Sequence, residues 1–384
     1  MANTSVTPVG RINNTSSTPL ALGTAYDTKY ATYLKLFSGE MFKAYEGATI
    51  AKGTVQSRTL KNGKAMQFIF TGRMEAAYHE PGTPILGSGD PPVAEKTIVC
   101  DDLLISSAFV YDLDETLAHY SLRSEIAKKI GHALAEAYDK KIFRQIAKGA
   151  RLASPVSKAG YVEPGGTQVQ VGTGAGSEAD AFDATKLVAA FYDAAAAMDE
   201  KGVSMDGRVG ILNPRQYYAL IQQVGENGLV NRDEQGTSRQ RGNGVVEIAG
   251  IKIYKSMNIP FLGRYGTKYG GTTGEADPGN TGSFVNPAIE DGGAVTGMNN
   301  NYGEANAFDT SCGLIFQREA AGCVEAIAPQ VQVTSGDVSV IYQGDVILGR
   351  LAMGADFLNP AACVELFATS TAPTAFGTTY PANT

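Results

Sequence analysis

The feature that most constrains the fold of this chain is a long amphipathic helix, which the sequence predicts over residues 112–149. Its apolar residues recur at steps of three, four and seven, so they share one helical face. They are Leu113, Leu117, Tyr120, Ala127, Ile130, Leu134, Tyr138 and Ile142. At about 1.5 Å per residue, the helix spans roughly 50 Å. Such a rod is expected to lie along a sheet or another layer, with its opposite face in solvent.

Charged residues on the opposite face support this orientation. They are Arg123, Glu125, Lys128, Lys129, Glu136 and Lys140. Asp112 or Asp114 can cap the start of the helix, and Lys148 followed by Gly149 predicts its end. Gly131 lies in the interior, where glycine costs roughly 1 kcal/mol relative to alanine. Either a bending point or a close packing contact would explain this glycine.

Composition indicates a folded protein of more than one lobe. The chain has 384 residues, of which 43% are hydrophobic, and this is enough to bury a substantial core. Its formal net charge of -7 and the lack of a Lys and Arg cluster argue against tight binding to nucleic acid. No apolar run reaches the roughly 18 residues of a membrane span, and the N-terminus has no signal-peptide pattern. The sequence therefore predicts a soluble protein without a visible export signal.

The first 70 residues predict an arm, a helix and a hairpin. Residues 2–24 cannot build a core of their own, so they predict an extended arm or a disordered tail. A helix follows over residues 27–47. Residues 55–60 and 65–70 alternate as strands around Lys61-Asn62-Gly63-Lys64, in which Asn-Gly is a strong hairpin signal. With Arg58, the two lysines make the tip basic, and the hairpin is predicted either to project from the body or to be an ordinary charged turn.

Later segments alternate between strands and helices. Strands are predicted over residues 97–104, 107–111, 208–212, 313–316, 323–327, 338–348 and 362–367, with two more around Gly250. Helices are predicted to begin at Asp183 and at Pro214, and the first is predicted to stop at Lys201. Residues 263–306 are rich in Gly, Asn and Thr and predict an exposed insertion. The middle of the chain therefore has the pattern of an α/β lobe.

The residue types that enzymes most often use in catalysis do not form a recognisable catalytic site in this sequence. His79, His119 and His132 are separated, and the latter two would lie roughly 20 Å apart on the helix. Four scattered cysteines predict free thiols rather than a zinc site. The sequence Gly-Thr-Gly-Ala-Gly-Ser at residues 172–177 imitates a dinucleotide fingerprint, but Ser177 replaces its third glycine.

No catalytic, cofactor-binding or metal-binding residue is therefore predicted. Two other protein classes remain as alternatives. One is a nucleotide-binding α/β enzyme that uses the loop at residues 172–177. The other is a secreted adhesin, suggested by the Asn-, Thr- and Gly-rich loops.

Several short motifs in one order resemble a known family. They include Tyr33-Leu34-Lys35-Leu36-Phe37-Ser38-Gly39-Glu40, Gly72-Arg73-Met74-Glu75-Ala76-Ala77-Tyr78, Gly250-Ile251-Lys252-Ile253 and Gly313-Leu314-Ile315-Phe316. With the order of arm, hairpin, long helix and α/β lobe, they resemble the major capsid proteins of T7-like podoviruses, which are tailed bacteriophages. A marine cyanophage is one candidate source. The resemblance runs from about Leu34 to Phe367 and implies an α+β, HK97-like capsid fold.

The resemblance also implies a division into five segments. These are an N-arm with the first helix at 1–47, an E-loop at 48–98, a peripheral domain with the long spine helix at 99–184, an axial domain at 185–317 that carries the insertion 263–306, and peripheral strands with a C-terminal tail at 318–384. Arg58, Lys61, Asn62, Gly63 and Lys64 are then predicted as an inter-subunit contact at the E-loop tip. Gly131 is predicted as the compliance point of the spine helix.

The implied function is structural rather than enzymatic. The chain is expected to self-assemble into the pentamers and hexamers of an icosahedral head, which expands from a procapsid to its mature form. The head encloses double-stranded DNA without sequence-specific binding, and no membrane is involved. Scaffolding protein and portal protein are the implied partners during assembly in the host cytoplasm, and a decoration protein is a further candidate. The implied final location is the virion.

Overall fold

The structure is a computed structural model. It describes residues 50–72, 76, 78–84, 93–111, 122–153, 157–158, 161–172, 178–222, 246–259, 299–300, 302, 311–333, 343–368 and 372. The predicted arm and first helix, the start of the long helix before Leu122, and most of the predicted insertion lie outside these residues.

The described residues form four α-helices and fourteen strands. The helices are α1 (Ala51–Thr54), α2 (Leu122–Ala150), α3 (Ala184–Glu200) and α4 (Pro214–Gln222). The strands are β1 (Gln56–Thr59), β2 (Ala65–Thr71), β3 (Val93–Val99), β4 (Leu104–Tyr111), β5 (Ser157–Lys158), β6 (Tyr161–Val162), β7 (Thr167–Gln170), β8 (Val209–Leu212), β9 (Val246–Ile248), β10 (Ile251–Lys255), β11 (Ser311–Phe316), β12 (Ala321–Val333), β13 (Gly344–Phe357) and β14 (Cys363–Phe367). Short 3-10 helices cover Glu178–Phe182 and Pro360–Ala362.

These strands form two larger sheets and two ribbons. The four-stranded sheet has the order β1-β12-β13-β4, and the six-stranded sheet has the order β7-β14-β11-β8-β10-β9. Two parallel strand pairs join distant parts of the chain. In one, β1 pairs with β12, and in the other, β7 pairs with β14. Among the described strands, β2 pairs only with β3, and β5 pairs only with β6. The register of both sheets is therefore set by long-range pairing.

Most of the second half of α2 is buried, and residues 141–150 are buried on all sides. Ile142 and Ile146 belong to a core cluster that also contains Phe316 of the six-stranded sheet and Leu351 of the four-stranded sheet. Five polar residues of this half are buried as well. They are Asp139, Lys141, Arg144, Gln145 and Lys148. The predicted one-sided burial is therefore wrong for this half, because the helix packs against two layers instead of one.

The helix ends at Ala150, one residue beyond the predicted Gly149, and Gly149 does not adopt the predicted left-handed conformation. A β-carbon on Gly149 would lie 2.9 Å from Cys363 Sγ and 3.0 Å from Phe357 Cβ. Glycine therefore allows β13 and β14 to approach the helix closely.

The middle lobe has the local structure that its sequence predicts. The Asp183 side chain caps α3 by accepting a hydrogen bond from Thr185 N at 2.9 Å. That helix ends at Glu200 with the predicted Lys201 as its C-cap, and α4 begins at Pro214, one residue after β8. Both helices pack on the six-stranded sheet through one apolar cluster. The predictions for this lobe are confirmed because their signals lie within a few residues of each element end.

The described residues divide into two compact units. The smaller contains Ser106–Gly131 and Val331–Gly349, and the larger contains the other described residues. The boundary crosses α2 between Gly131 and His132. The five predicted segments are a different division and stay a prediction. Strands from three of those segments share the six-stranded sheet.

Tyr302, near the end of the predicted insertion, is buried rather than exposed. Tyr302 has no exposed surface, and its hydroxyl donates to Asp101 Oδ2 at 2.5 Å while it accepts from Ala355 N at 3.1 Å. Asn299 N and Asn300 N donate to Asp101 Oδ1 at 2.8 and 3.1 Å. The prediction of an exposed segment is therefore wrong at Tyr302, which the Asp101 carboxylate holds in the core, whereas Asn299 is exposed as predicted.

Candidate functional site

A ribbon made by β2 and β3 is a candidate contact surface. Ala65–Thr71 pairs antiparallel with Val93–Val99 along the full length of both strands. Neither strand has a second partner among the described strands. A two-stranded ribbon alone is marginally stable in water, so the packing of its faces must stabilise it.

The inner face of the ribbon packs on the body of the same chain. Phe68 and Ile98 are buried in a cluster with Val324 of β12. Lys96 forms an ion pair with Asp356 at 2.8 Å. These contacts hold both strands against the four-stranded sheet, so the strands do not project freely.

The outer face of the ribbon is exposed. Ile69 keeps 74% of its surface accessible. The side chains of Gln67 and Thr97 both donate to Glu95 Oε1, at 2.5 and 3.2 Å. An ordered, exposed face with an apolar side chain and open strand edges is suited to contact with another protein.

The connection between β2 and β3 contains a tight turn. Thr83 N and Thr83 Oγ1 donate to Glu80 O at 3.2 and 2.7 Å, and Gly82 has φ +94°. Proline followed by glycine with a positive φ is the pattern of a type II turn. Tyr78 lies just before this turn and is fully exposed. The Pro81-Gly82 signal in the sequence could have located it.

The predicted hairpin between residues 55–60 and 65–70 is wrong. β1 pairs with β12, whereas β2 pairs with β3. The intervening residues 61–64 do bend, with Gly63 at φ +116°. The Asn-Gly signal thus predicted a turn correctly but not the partners of the strands beside it. The pairing with β12 places Leu60 in a buried cluster.

The predicted contact residues lie at the base of the ribbon rather than at its tip. They are Arg58, Lys61, Asn62, Gly63 and Lys64, and all five are exposed. The Arg58 guanidinium lies 4.7 Å from the centroid of the Phe68 ring. Lys64 O accepts from Cys100 N at 2.8 Å, directly beside the last strand pair. Their position is corrected, and their contact with a neighbouring subunit stays a prediction.

Gly131 lies in α2 with open space around it. A β-carbon at this position would meet no atom within 4 Å. No packing contact with the described residues therefore requires glycine here. The alternative, a bending point, stays a prediction.

Asp139 of α2 holds the first turn of α1. Its Oδ2 accepts from Ile50 N at 3.0 Å and its Oδ1 accepts from Ala51 N at 3.2 Å. The carboxylate thus caps the N-terminus of α1 from a different helix. Burial raises the pKa of Asp139 to about 6, although these hydrogen bonds act to lower it.

Replacing Asp139 with Asn should remove a pH-dependent loss of stability. Because the folded pKa lies above the usual 3.8, this group's contribution is fully present below about pH 4 and is lost as the pH rises through about 6. Between about pH 4.5 and 7, the free energy of unfolding should fall on the order of 2 kcal/mol further in the wild type than in Asp139→Asn. Urea unfolding at both pH values measures this difference. Asp206→Asn is the exposed control, and equal pH dependence of wild type and Asp139→Asn would contradict the expectation.

No reactive centre is evident among the described residues. All four cysteines are thiols that form no disulfide, as predicted, and the structure buries each of them. Burial raises the pKa of the Cys323 thiol to about 12, so it stays protonated and unreactive at neutral pH.

The described residues contain no group of three or more His, Cys, Asp or Glu that could hold a metal ion. No helix among them is long and apolar enough to span a membrane. Residues 173–177 of the fingerprint-like loop lie outside the described residues.

Known proteins match this chain over most of its length. The family model described as Gp10A-like major capsid protein matches residues 68–367. The major capsid protein of Escherichia phage T7 is 28% identical over 346 residues, which cover 87% of this chain and 91% of that protein. The major capsid protein of Enterobacteria phage T3 is 26% identical over 345 residues, which cover 87% and 90%.

Solved structures share the fold. The capsid structure of the cyanophage P-SCSP1u has a TM-score of 0.68 and 29% identity, and the match covers 96% of this chain and 100% of that one. The mature capsid of bacteriophage PhiM1 has a TM-score of 0.61 at 14% identity and covers 88% and 93%. These matches confirm the predicted α+β, HK97-like fold.

Proposed function

Because the chain belongs to the Gp10A-like family of major capsid proteins, we propose that it forms the pentamers and hexamers of an icosahedral phage head. It is a self-assembling structural component of the virion, and its family is not a family of enzymes. The β2–β3 ribbon supports the finer proposal, since its outer face is exposed and neither of its strands has a second partner among the described strands. Closed shells of one chain require such contacts between identical copies.

The proposed contact element includes both ends of the ribbon. Its tip is the turn beside Tyr78, and its base contains Arg58, Lys61, Asn62, Gly63 and Lys64. We assign both to contacts with neighbouring subunits because their side chains are exposed in the single chain. In the five-segment division, the ribbon belongs to the E-loop and α2 is the spine helix.

The proposed cargo is double-stranded DNA, enclosed without sequence-specific contacts. A net charge of -7 opposes tight phosphate binding, which suits a container that later releases its contents. We propose assembly in the host cytoplasm with a scaffolding protein and a portal protein, followed by expansion from procapsid to mature head. A decoration protein on the outer surface is a further proposed partner. Relatedness to the T7 and T3 major capsid proteins supports these proposals.

Electron microscopy of the expressed chain tests the proposed function. Co-expression with the scaffolding protein should give closed icosahedral shells whose faces show five- and six-fold capsomers. Monodisperse monomers that bind a nucleotide would instead support the α/β enzyme alternative.

We also propose that Gly131 is a compliance point of α2 during expansion of the head. Glycine weakens a helix locally, and a β-carbon at this one would meet no atom of the described residues within 4 Å. The boundary between the two compact units crosses the helix directly after it. A subunit that occupies two shell geometries needs an element that absorbs the difference.

Gly131→Ala should therefore stiffen the helix and shift the midpoint of procapsid expansion by heat or denaturant. The free energy of unfolding should rise by up to about 1 kcal/mol, since alanine favours the helix and meets no clash. Gly53→Ala is the matched control, because Gly53 is also helical and also has no atom within 4 Å of a β-carbon. An unchanged expansion midpoint in Gly131→Ala, at normal shell yield, would refute the hinge.

A further inference from the structure

Three exposed cations lie close in sequence at the base of the ribbon. We call Arg58, Lys61 and Lys64 the basic strip, and all three are exposed. In the described part of the chain none of them forms an ion pair, whereas the nearby Lys52 pairs with Glu325 at 3.2 Å. The described part of the subunit therefore provides no carboxylate that pairs with the strip.

Several exposed acids of the described chain already have partners. Glu95 accepts two side-chain hydrogen bonds on the ribbon. Asp199 forms an ion pair with Arg208 at 2.7 Å. Glu247 lies opposite Lys252 in the pair of β9 with β10. These carboxylates are poor candidates for a new cation partner.

Exposed residues of α3 and of the loop directly after it combine acids with apolar side chains. We call them the acidic face: Tyr192, Asp193 and Glu200 lie on one side of α3 by helical spacing, and Met205 and Asp206 lie in the loop that follows. The tyrosine and the methionine keep 57% and 63% of their surface exposed. In the described chain the three carboxylates have no ion-pair partner. Tyrosine and methionine are enriched in protein interfaces, so this surface fits a protein partner that brings cations.

Resting on the proposed self-assembly, we propose that the basic strip of one subunit binds the acidic face of a second copy of this chain. Each surface carries three charges, and the signs are opposite. Both surfaces stay exposed in the single chain, so both are available to a neighbour. Because they are different surfaces, the contact is head to tail, which is the kind that closes into rings and shells.

Nucleic acid is a poorer partner for the basic strip. Phosphate binding that survives physiological salt commonly uses more cations than the three of the strip. The chain as a whole carries a net charge of -7 and repels a polyanion. A local acidic partner on another copy satisfies the strip without that repulsion, and complementary charges also orient the encounter of two subunits.

Charge reversal in full-length chains tests this contact. The first variant is Lys61→Glu with Lys64→Glu, and the second is Asp193→Lys with Glu200→Lys. Each should slow shell assembly, followed by light scattering at low salt, by at least about tenfold, and the wild-type rate should fall as salt is added. The variant with all four changes should recover to within about threefold of wild type. The control, Lys128→Glu with Arg318→Glu, matches the first variant in net charge and should assemble normally.

Each outcome decides the proposal, provided that circular dichroism shows every variant to be folded. Recovery in the four-change variant supports it. Failure of the four-change variant to recover overturns the proposed contact. Wild-type assembly rates in both reversal variants also overturn it, but the shells seen by electron microscopy would then leave the proposed function intact. Normal assembly of the Lys61→Glu, Lys64→Glu variant, together with loss of packaged DNA, would indicate that the basic strip binds nucleic acid and would overturn the proposal. Absence of shells from the wild-type chain would refute the proposed function and this contact together.

Discussion

Replacing Glu365 with Ala should lower the free energy of unfolding by about 3–5 kcal/mol, because a buried guanidinium would lose its carboxylate. Glu365 accepts from Arg151 Nη2 and Nε at 2.6 and 2.7 Å, and the two side chains are 0% and 2% exposed. Ser311 Oγ also donates to Glu365, and Gln168 Nε2 donates to it at 3.2 Å. One carboxylate on β14 therefore joins the end of α2 to β7 and β11.

Urea denaturation of the free subunit measures this loss. Glu319→Ala removes an exposed carboxylate and should change stability by less than about 0.5 kcal/mol. The double variant Arg151→Met with Glu365→Leu should be more stable than Glu365→Ala, since it leaves no uncompensated charge. A loss below about 1 kcal/mol in Glu365→Ala would show that Arg151 does not depend on this carboxylate.

Shortening the ribbon should abolish closed shells while the subunit stays folded. Thr71 and Val93 are opposite in register, so an Asn-Gly turn can join them in place of residues 72–92. Phe68 and Ile98 still anchor the inner face, and the stability of the subunit should change by less than about 1 kcal/mol. Shell yield, measured by sedimentation and electron microscopy, should fall by at least about tenfold because each lost contact recurs at every subunit.

Point variants separate the contact from the length of the ribbon. Tyr78→Ala should weaken assembly less than the shortened ribbon does, and Tyr78→Phe should weaken it least. Deletion of residues 60–65 is not a suitable test, because it removes the buried Leu60. Normal shell yield from the shortened chain would mean that the tip of the ribbon makes no essential contact between subunits.

Local signals explain why the middle lobe could be predicted from sequence. Asp183 and Pro214 could be recognised in the sequence as helix starts, because capping and proline geometry depend only on neighbouring residues. The strand at residues 208–212 is short, apolar and buried on both faces, so its pattern survives in the structure as β8. The fold class could be predicted as well, but through resemblance to a family rather than through periodicity.

Long-range pairing explains where the sequence failed. An Asn62-Gly63 turn does not reveal that β12, far along the chain, takes β1 as its partner. Periodicity over α2 shows an apolar stripe but not a second layer, which buries Lys141 and Arg144 as well. In both cases tertiary contacts override a correct local reading.

The candidate site shows the same limit. Exposure of the basic residues was predictable, but their place at the base of the ribbon depends on β2 pairing with β3. Asp139 and Asp101 could not be recognised, because a carboxylate that caps a distant segment has no local spacing. The turn at Pro81-Gly82 could be predicted from the sequence. Its position between β2 and β3 could not, because it depends on the pairing of those strands.

The parallel pairing of β7 with β14 also bears on the order in which the chain is synthesised. β14 lies between β7 and β11 in the six-stranded sheet, and it brings Glu365 to Arg151. A nascent or truncated chain that stops before Cys363 therefore has a gap in this sheet and a cation with no carboxylate. Contacts of such high sequence separation form late and slowly. The six-stranded sheet and the ion pair of Arg151 with Glu365 can therefore be completed only after residues 363–367 have been synthesised.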